Sequence, residues 1–234
     1  MTYLFHINSN GRFLPDKIPE ILTKLFALCR DKSFFPISFR FWNKEDIDIK
    51  DLNFEKLRPY ITERKKRGAQ IYEFEINNGR MQINYYTKFG YPGDYGEFHI
   101  SLDNCNYLLD ENGSWDEKHL ERRLEETINY CVAIIKSADS DFVIGGWEEY
   151  ESSVEAWQID FLVIKKALWK NFLREHIKYK FRIDLSEDII EKLTKETAYS
   201  VEERGDLMII NFSAFRKEGR FYRMVEKLAE ARKK

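Results

Sequence analysis

Apolar positions recur along this chain at two spacings, and the switches between them mark out its elements. Residues 3–7 read as a strand, closed by Asn8-Ser9-Asn10-Gly11. Pro15 and Pro19 then suit the first turn of a helix running to about Arg30, with Ile18, Ile21, Leu22, Leu25, Phe26 and Cys29 on one face. At 35–42 the period becomes two, with Phe35, Ile37, Phe39 and Phe41 alternating against Ser38 and Arg40, as in a strand with one buried side. Helical spacing returns from Asp51 through Leu52, Leu57, Tyr60 and Ile61. It ends in Arg64-Lys65-Lys66-Arg67-Gly68, where positive charge stabilises a helix C-terminus.

Asn78-Gly79 is the strongest turn signal in the chain. It predicts a hairpin carrying Tyr72, Phe74 and Ile76 on one arm and Met81, Ile83 and Tyr85 on the other. A third strand at 98–102 completes an antiparallel meander after the loop Gly90-Tyr91-Pro92-Gly93-Asp94-Tyr95-Gly96. Ser114 with Glu117 three residues on predicts a capping box for a long helix with Leu120, Leu124, Ile128, Cys131 and Ile135 along one face, expected to cover the meander. Residues 142–144 read as a short buried strand before Gly145-Gly146-Trp147, whereas 154–163 fits a strand or the start of a helix equally well. Beyond it the pattern predicts a helix at 168–177, an extended segment at 179–183 and a helix at 186–197 capped by Ser186. A hairpin turning at Arg204-Gly205-Asp206 follows, then a terminal helix from Gly219. The fold class expected is α+β, antiparallel sheet covered by amphipathic helices on one face. It forms a single domain over 1–234 with two lobes at about 1–138 and 139–234.

Composition narrows the function classes. A chain of 234 residues can bury roughly 70–75% of its unfolded surface, so stability requires no cofactor. Its 38 basic and 40 acidic residues nearly cancel, which removes the net-charge argument for nucleic acid or an anionic membrane as the main partner. Cys29, Cys105 and Cys131 are odd in number and lie in apolar stretches, as buried reduced thiols do, so a cytoplasmic setting is expected. The start shows no basic region followed by an apolar run and cleavage site, and no segment reaches about 18 uninterrupted apolar residues.

Candidate chemistry is sparse. None of His6, His99, His119 and His176 pairs with a second His or a Cys at metal-ligand spacing; His99 falls in a strand and the others on surfaces or helix ends. Motifs for acyl hydrolases, P-loops and dinucleotide binding are absent. Asp46-x-Asp48 and Asp139-x-Asp141 sit in short polar loops and read as ordinary loop acids. The stretch Gln158-Ile159-Asp160-Phe161-Leu162-Val163-Ile164-Lys165 resembles the metal-binding strand of restriction-endonuclease-like nucleases. That likeness implies a metal-dependent nuclease or hydrolase built on Asp160. No strand with Glu-x-Lys follows it.

Two loops remain as display surfaces. Tyr91, Asp94 and Tyr95 belong to the first, and Trp147, Glu148, Glu149, Tyr150 and Glu151 to the second. Tyr and Trp give large contact area at low entropic cost, while clustered acids steer a basic partner. An aromatic-rich α+β chain closing with Gly205-Asp206-Leu207-Met208-Ile209-Ile210-Asn211-Phe212 and an amphipathic helix resembles bacterial polymorphic-toxin immunity proteins, from Gly145-Gly146-Trp147 onward. The resemblance implies a non-catalytic cytoplasmic protein, without metal or cofactor, that binds a cognate toxin and blocks its active site. The near-neutral charge departs from what a strongly basic nuclease toxin would call for. A third reading makes the chain a structural subunit whose exposed aromatics bury a homo-oligomer interface.

Overall fold

The computed structural model describes residues 4–9, 15–29, 39–41, 46–47, 53–67, 71–76, 81–88, 95–103, 116–147, 159–213 and 219–232. The chain divides into two compact units, Met1–Val143 and Ile144–Lys234. Both mix helices with antiparallel strands, so the fold is α+β.

In the first unit, strands β1 (Leu4–Ser9), β2 (Phe39–Phe41), β3 (Asp46–Ile47), β4 (Ile71–Ile76), β5 (Met81–Lys88) and β6 (Tyr95–Asp103) lie in the order β3-β2-β4-β5-β6-β1. Every pairing between these neighbours is antiparallel. The expected meander is present as β4, β5 and β6, with Ile76 opposite Met81 at the closed end of the hairpin. Its turn, 77–80, lies outside the described residues.

Helix α1 (Ile18–Cys29) follows a 3-10 turn at Pro15–Lys17 and buries Ile18, Ile21, Leu22, Leu25 and Phe26. Phe26 stacks on Phe54, 5.3 Å between ring centres, in the 3-10 turn Phe54–Leu57 that leads into α2 (Arg58–Lys66). Of the basic run closing α2, Lys65 pairs with Asp16 at 2.5 Å and Arg67 with Glu63 at 2.5 Å, as expected of a solvated helix end. Helix α3 (Glu117–Ala138) packs against α1 and buries Ile128, Cys131 and Ile135.

The cap of α3 differs from the expected one. Asp116, not Ser114, occupies the N-cap, and its carboxylate accepts the His119 N–H at 2.9 Å. A carboxylate beside the positive helix end is a stronger acceptor than a hydroxyl, and Glu117 then falls in the first turn.

The second unit contains β8 (Phe161–Lys165), α4 (Trp169–Phe181), α5 (Glu187–Thr197), β9 (Ser200–Arg204), β10 (Leu207–Asn211) and α6 (Arg220–Ala231). Strand β7 (Phe142–Trp147) crosses the unit boundary, and the strand order here is β7-β8-β10-β9. The apolar run in β10 is buried at every position and pairs antiparallel with β8, of which Phe161 to Ile164 are also buried. Continuous apolar strands of this kind need cover on both faces. By contrast, β9 is an exposed edge whose Glu202, Glu203 and Arg204 discourage pairing with another chain. Helices α4, α5 and α6 pack on one another through Trp169, Leu173 and Ile177, Ile190 and Leu193, and Phe221 and Val225.

Two expectations fail in this unit. Residues 179–181 are the last turn of α4 rather than an extended segment. The alternation of Tyr179, Phe181 and Ile183 resembled a strand, but Lys178 and Lys180 suit a helix C-terminus and the helical face from Trp169 continues through Ile177. Gly145 and Gly146, read as the opening of a loop, are buried residues of β7. Gly145 accepts the Asp160 N–H at 2.9 Å, so hydrogen bonding carries on past Ile144.

Gly205 opens the two-residue turn between β9 and β10 with φ at 64°, a conformation costly for residues bearing a Cβ. A Cβ placed there would meet nothing within 4 Å. Gly205→Ala should therefore lower the unfolding free energy by about 1–2 kcal/mol through backbone strain alone. Urea denaturation reads this directly, and an unchanged midpoint would contradict the assignment.

Candidate functional site

The residues most capable of chemistry in the second unit meet where β8 begins. Ile159 and Asp160 precede that strand; both are buried. The Asp160 carbonyl accepts N–H groups from Phe212 at 2.8 Å and Ser213 at 3.0 Å, joining this segment to the end of β10. The Ser213 hydroxyl donates to the Asp160 carboxylate. A carboxylate in a residue 3% exposed is costly to bury, and the Ser213 hydroxyl offsets part of that cost.

A second bond system lies beside the first. The Ile159 N–H donates to the Tyr222 hydroxyl of α6 at 2.7 Å. That hydroxyl lies 3.1 Å from Nε2 of His176 on α4. One oxygen thus makes both bonds, accepting from a backbone N–H and meeting an imidazole nitrogen that donates or accepts according to its tautomer. Burial pushes the imidazole down to about 4, and the nearby Lys180 charge adds to the shift. His176 meets the Tyr222 ring edge-on at 6.0 Å, Phe221 and Phe181 lie 5.3 and 5.9 Å from it, and the Lys180 ammonium stands over its face at 5.5 Å. Phe212 packs on Phe221 at 4.4 Å.

Ser213, Asp160, His176 and Tyr222 are residue types that serve hydrolases, yet they form two separate pairs. Ser213 gives its proton to Asp160, and among the described residues His176 bonds to Tyr222 and not to Ser213. All four are under one-tenth exposed. The arrangement ties α4, α6, the start of β8 and the end of β10 together.

His176 was expected on a surface or helix end and is instead buried within α4. The signal was present in the spacing, because His176 stands three residues after Leu173 and seven after Trp169, on the face those residues bury. Tyr222 and Ser213 carried no comparable local signal. Asp139 ends α3 in the left-handed conformation at φ 49°, a structural position that Asp tolerates well. His119 sits between Arg122 and Arg123 in the first turns of α3. Cys131 is fully buried within α3. Among the described residues no group of three or more His, Cys, Asp or Glu side chains could hold a metal ion, and no helix is long and apolar enough to cross a membrane.

Of the display residues, Trp147 is the last residue of β7. Tyr95 is the first residue of β6, opposite Lys88, and so belongs to the meander rather than to the loop before it. The antiparallel register set by the hairpin continues to that pair, which draws Tyr95 and Gly96 into the sheet. Tyr91, Asp94, Glu148, Glu149, Tyr150 and Glu151 lie outside the described residues.

No protein-family model matches the chain, and no curated protein matches its sequence. Among solved structures it is similar to the Pseudomonas aeruginosa T6SS protein PA0821 at a TM-score of 0.47 and 9% identity, over 97% of this chain and 72% of that one. A likeness of that degree carries no argument about fold or function.

Removing the bridging hydroxyl tests the second bond system. Tyr222→Phe keeps the ring packing but leaves the buried Ile159 N–H unpaired, and should cost about 1–3 kcal/mol in chemical denaturation; a neutral outcome would contradict the bridge. The His176 imidazole also sets a pH dependence. The unfolded chain takes up this proton near 6.5 and the folded chain only near 4, so between those values the unfolded state binds more protons and stability drops as the solution is acidified. From pH 7 to 5 the loss should be about 2 kcal/mol, and His176→Gln should flatten it. Glu20 and Glu191, held at about 2 by hydrogen bonds from Lys24 and Lys170 respectively, lose their contribution only as pH falls from the ordinary carboxylate range towards 2, outside this window. An equal slope in the variant would contradict the assignment.

Proposed function

We propose that the chain is a non-catalytic binding protein of immunity type, which holds a cognate toxin in the cytoplasm of the producing cell and covers its active site. The observation that carries this reading is how Asp160 and His176 are used: both are buried and engaged by Ser213 and Tyr222 in bonds that join elements of the fold. Groups spent in this way hold a scaffold rigid, which lowers the entropy cost of presenting a binding surface. Exposed aromatic side chains on the same unit, Tyr179 at 45% and Tyr199 at 54%, give further contact area of the kind that dominates interfaces.

The surface assigned to the toxin is the acidic aromatic stretch after β7. Trp147 ends β7, and Glu148, Glu149, Tyr150 and Glu151 follow it in sequence. Carboxylates of this density would steer a basic patch on the toxin, and Trp147 with Tyr150 would anchor it.

The test calls for a gene for a secreted toxin immediately upstream of this chain's own, whose purified product is the titrant. Isothermal titration with that purified protein should give tight binding, weakened about tenfold or more by Trp147→Ala and by Glu149→Lys. Unchanged affinity in both variants would remove the loop from the interface, and no binding by the native chain would remove the immunity reading.

A further inference from the structure

Helix α4 ends in an unusual way. Arg182 closes it with φ 58° and ψ 30°, the left-handed conformation that glycine adopts freely and that a bulky side chain adopts at a cost. Its N–H satisfies the Lys178 carbonyl at 3.1 Å, a service any residue here would perform. What arginine adds is outside the helix. Its guanidinium lies over the exposed ring of Tyr179, 5.2 Å from the centroid. Among the described residues, no carboxylate pairs with it.

The surroundings are rich in positive charge. Arg174 grips the Asp184 carboxylate with two bonds, 2.8 and 3.1 Å, and Arg232 donates to the Asp184 carbonyl at 2.8 Å. Lys178 stands near enough to Asp184 to act on its charge without bonding to it. One carboxylate therefore faces Arg174, Lys178 and Arg232, while the Arg182 fork remains uncommitted. Glu175 and Glu187 also act on the charge of Arg174 and make no hydrogen bond to it. A guanidinium laid on an aromatic ring keeps its N–H edge free and pre-oriented, the geometry suited to a planar carboxylate.

We propose that the C-terminal end of α4, with Arg182 stacked on Tyr179 and Lys178 beside them, is a docking surface for an acidic segment of a partner protein. The guanidinium would take one carboxylate through paired N–H donors, and Lys178 would hold a neighbouring acid. A nucleic acid suits it less well, since tight phosphate binding draws on about 6–10 cationic contacts and the chain's net charge is −2. This assignment uses none of the residues of the acidic stretch after β7, and either stands if the other fails.

The experiment measures fluorescence anisotropy of a labelled peptide of alternating Glu and Ser, with the full chain at low ionic strength and a dT oligonucleotide of equal charge as the comparison. The native chain should bind the peptide more tightly than the oligonucleotide. Arg182→Gly, which relaxes the left-handed turn, should keep or raise the melting temperature while weakening peptide binding about tenfold or more. Tyr179→Ala, which leaves the cap intact, should weaken it severalfold. The proposal is overturned by native-chain silence towards the peptide, by variants that bind as the native chain does, or by tighter binding of the oligonucleotide.

Discussion

The second unit depends on what the Tyr222 hydroxyl must do. It sits among Phe181, Phe212, Phe221 and His176, where an unpaired hydroxyl would be costly, and it resolves this by accepting from the Ile159 N–H and hydrogen-bonding to His176. Through one oxygen, α6, α4 and the entry to β8 hold a common position. Asp160, the next residue, receives Phe212 and Ser213 from the end of β10. The strand pair β8–β10 and the helices that pack on one another are thus fixed at their meeting point by polar bonds within an aromatic shell. Such a centre specifies one arrangement more sharply than apolar packing alone, because a shift of one residue would strand several buried polar groups together.

Much of this architecture was legible in the amino-acid order wherever periodicity and turn chemistry agreed. Asn78-Gly79 placed the β4–β5 hairpin, Gly205 the β9–β10 turn, and Ser186 the start of α5, whose side chain accepts the Ile189 N–H. Each depends on a local rule satisfied within a few residues. The failures share the opposite character. At 179–181 an alternating pattern competed with helical continuation, and the helix prevailed through packing of Leu173, His176 and Ile177, which local alternation does not register. Gly145-Gly146 looked like a loop because glycine usually marks one; pairing with Asp160 keeps it in the sheet.

The polar centre was the least legible part. Ile159, His176, Ser213 and Tyr222 are spread along the unit, and only folding brings them together. Asp160 drew notice because an acid within an apolar run resembles a metal ligand. Its environment instead supplies a hydroxyl and two peptide N–H donations to the residue, so its surroundings give it a structural task. The same lesson applies to His176, whose placement on the buried face of α4 removes it from solvent and from ready proton exchange.

Commitment of these groups to the scaffold is the feature on which the proposed binding role rests. Nitrogen-15 NMR of the His176 ring reports on that commitment atom by atom. A neutral imidazole that persists until about pH 4 is expected. An imidazole titrating near 6.5 with exchanging tautomers would place His176 in contact with solvent and free for acid–base work, and would contradict it.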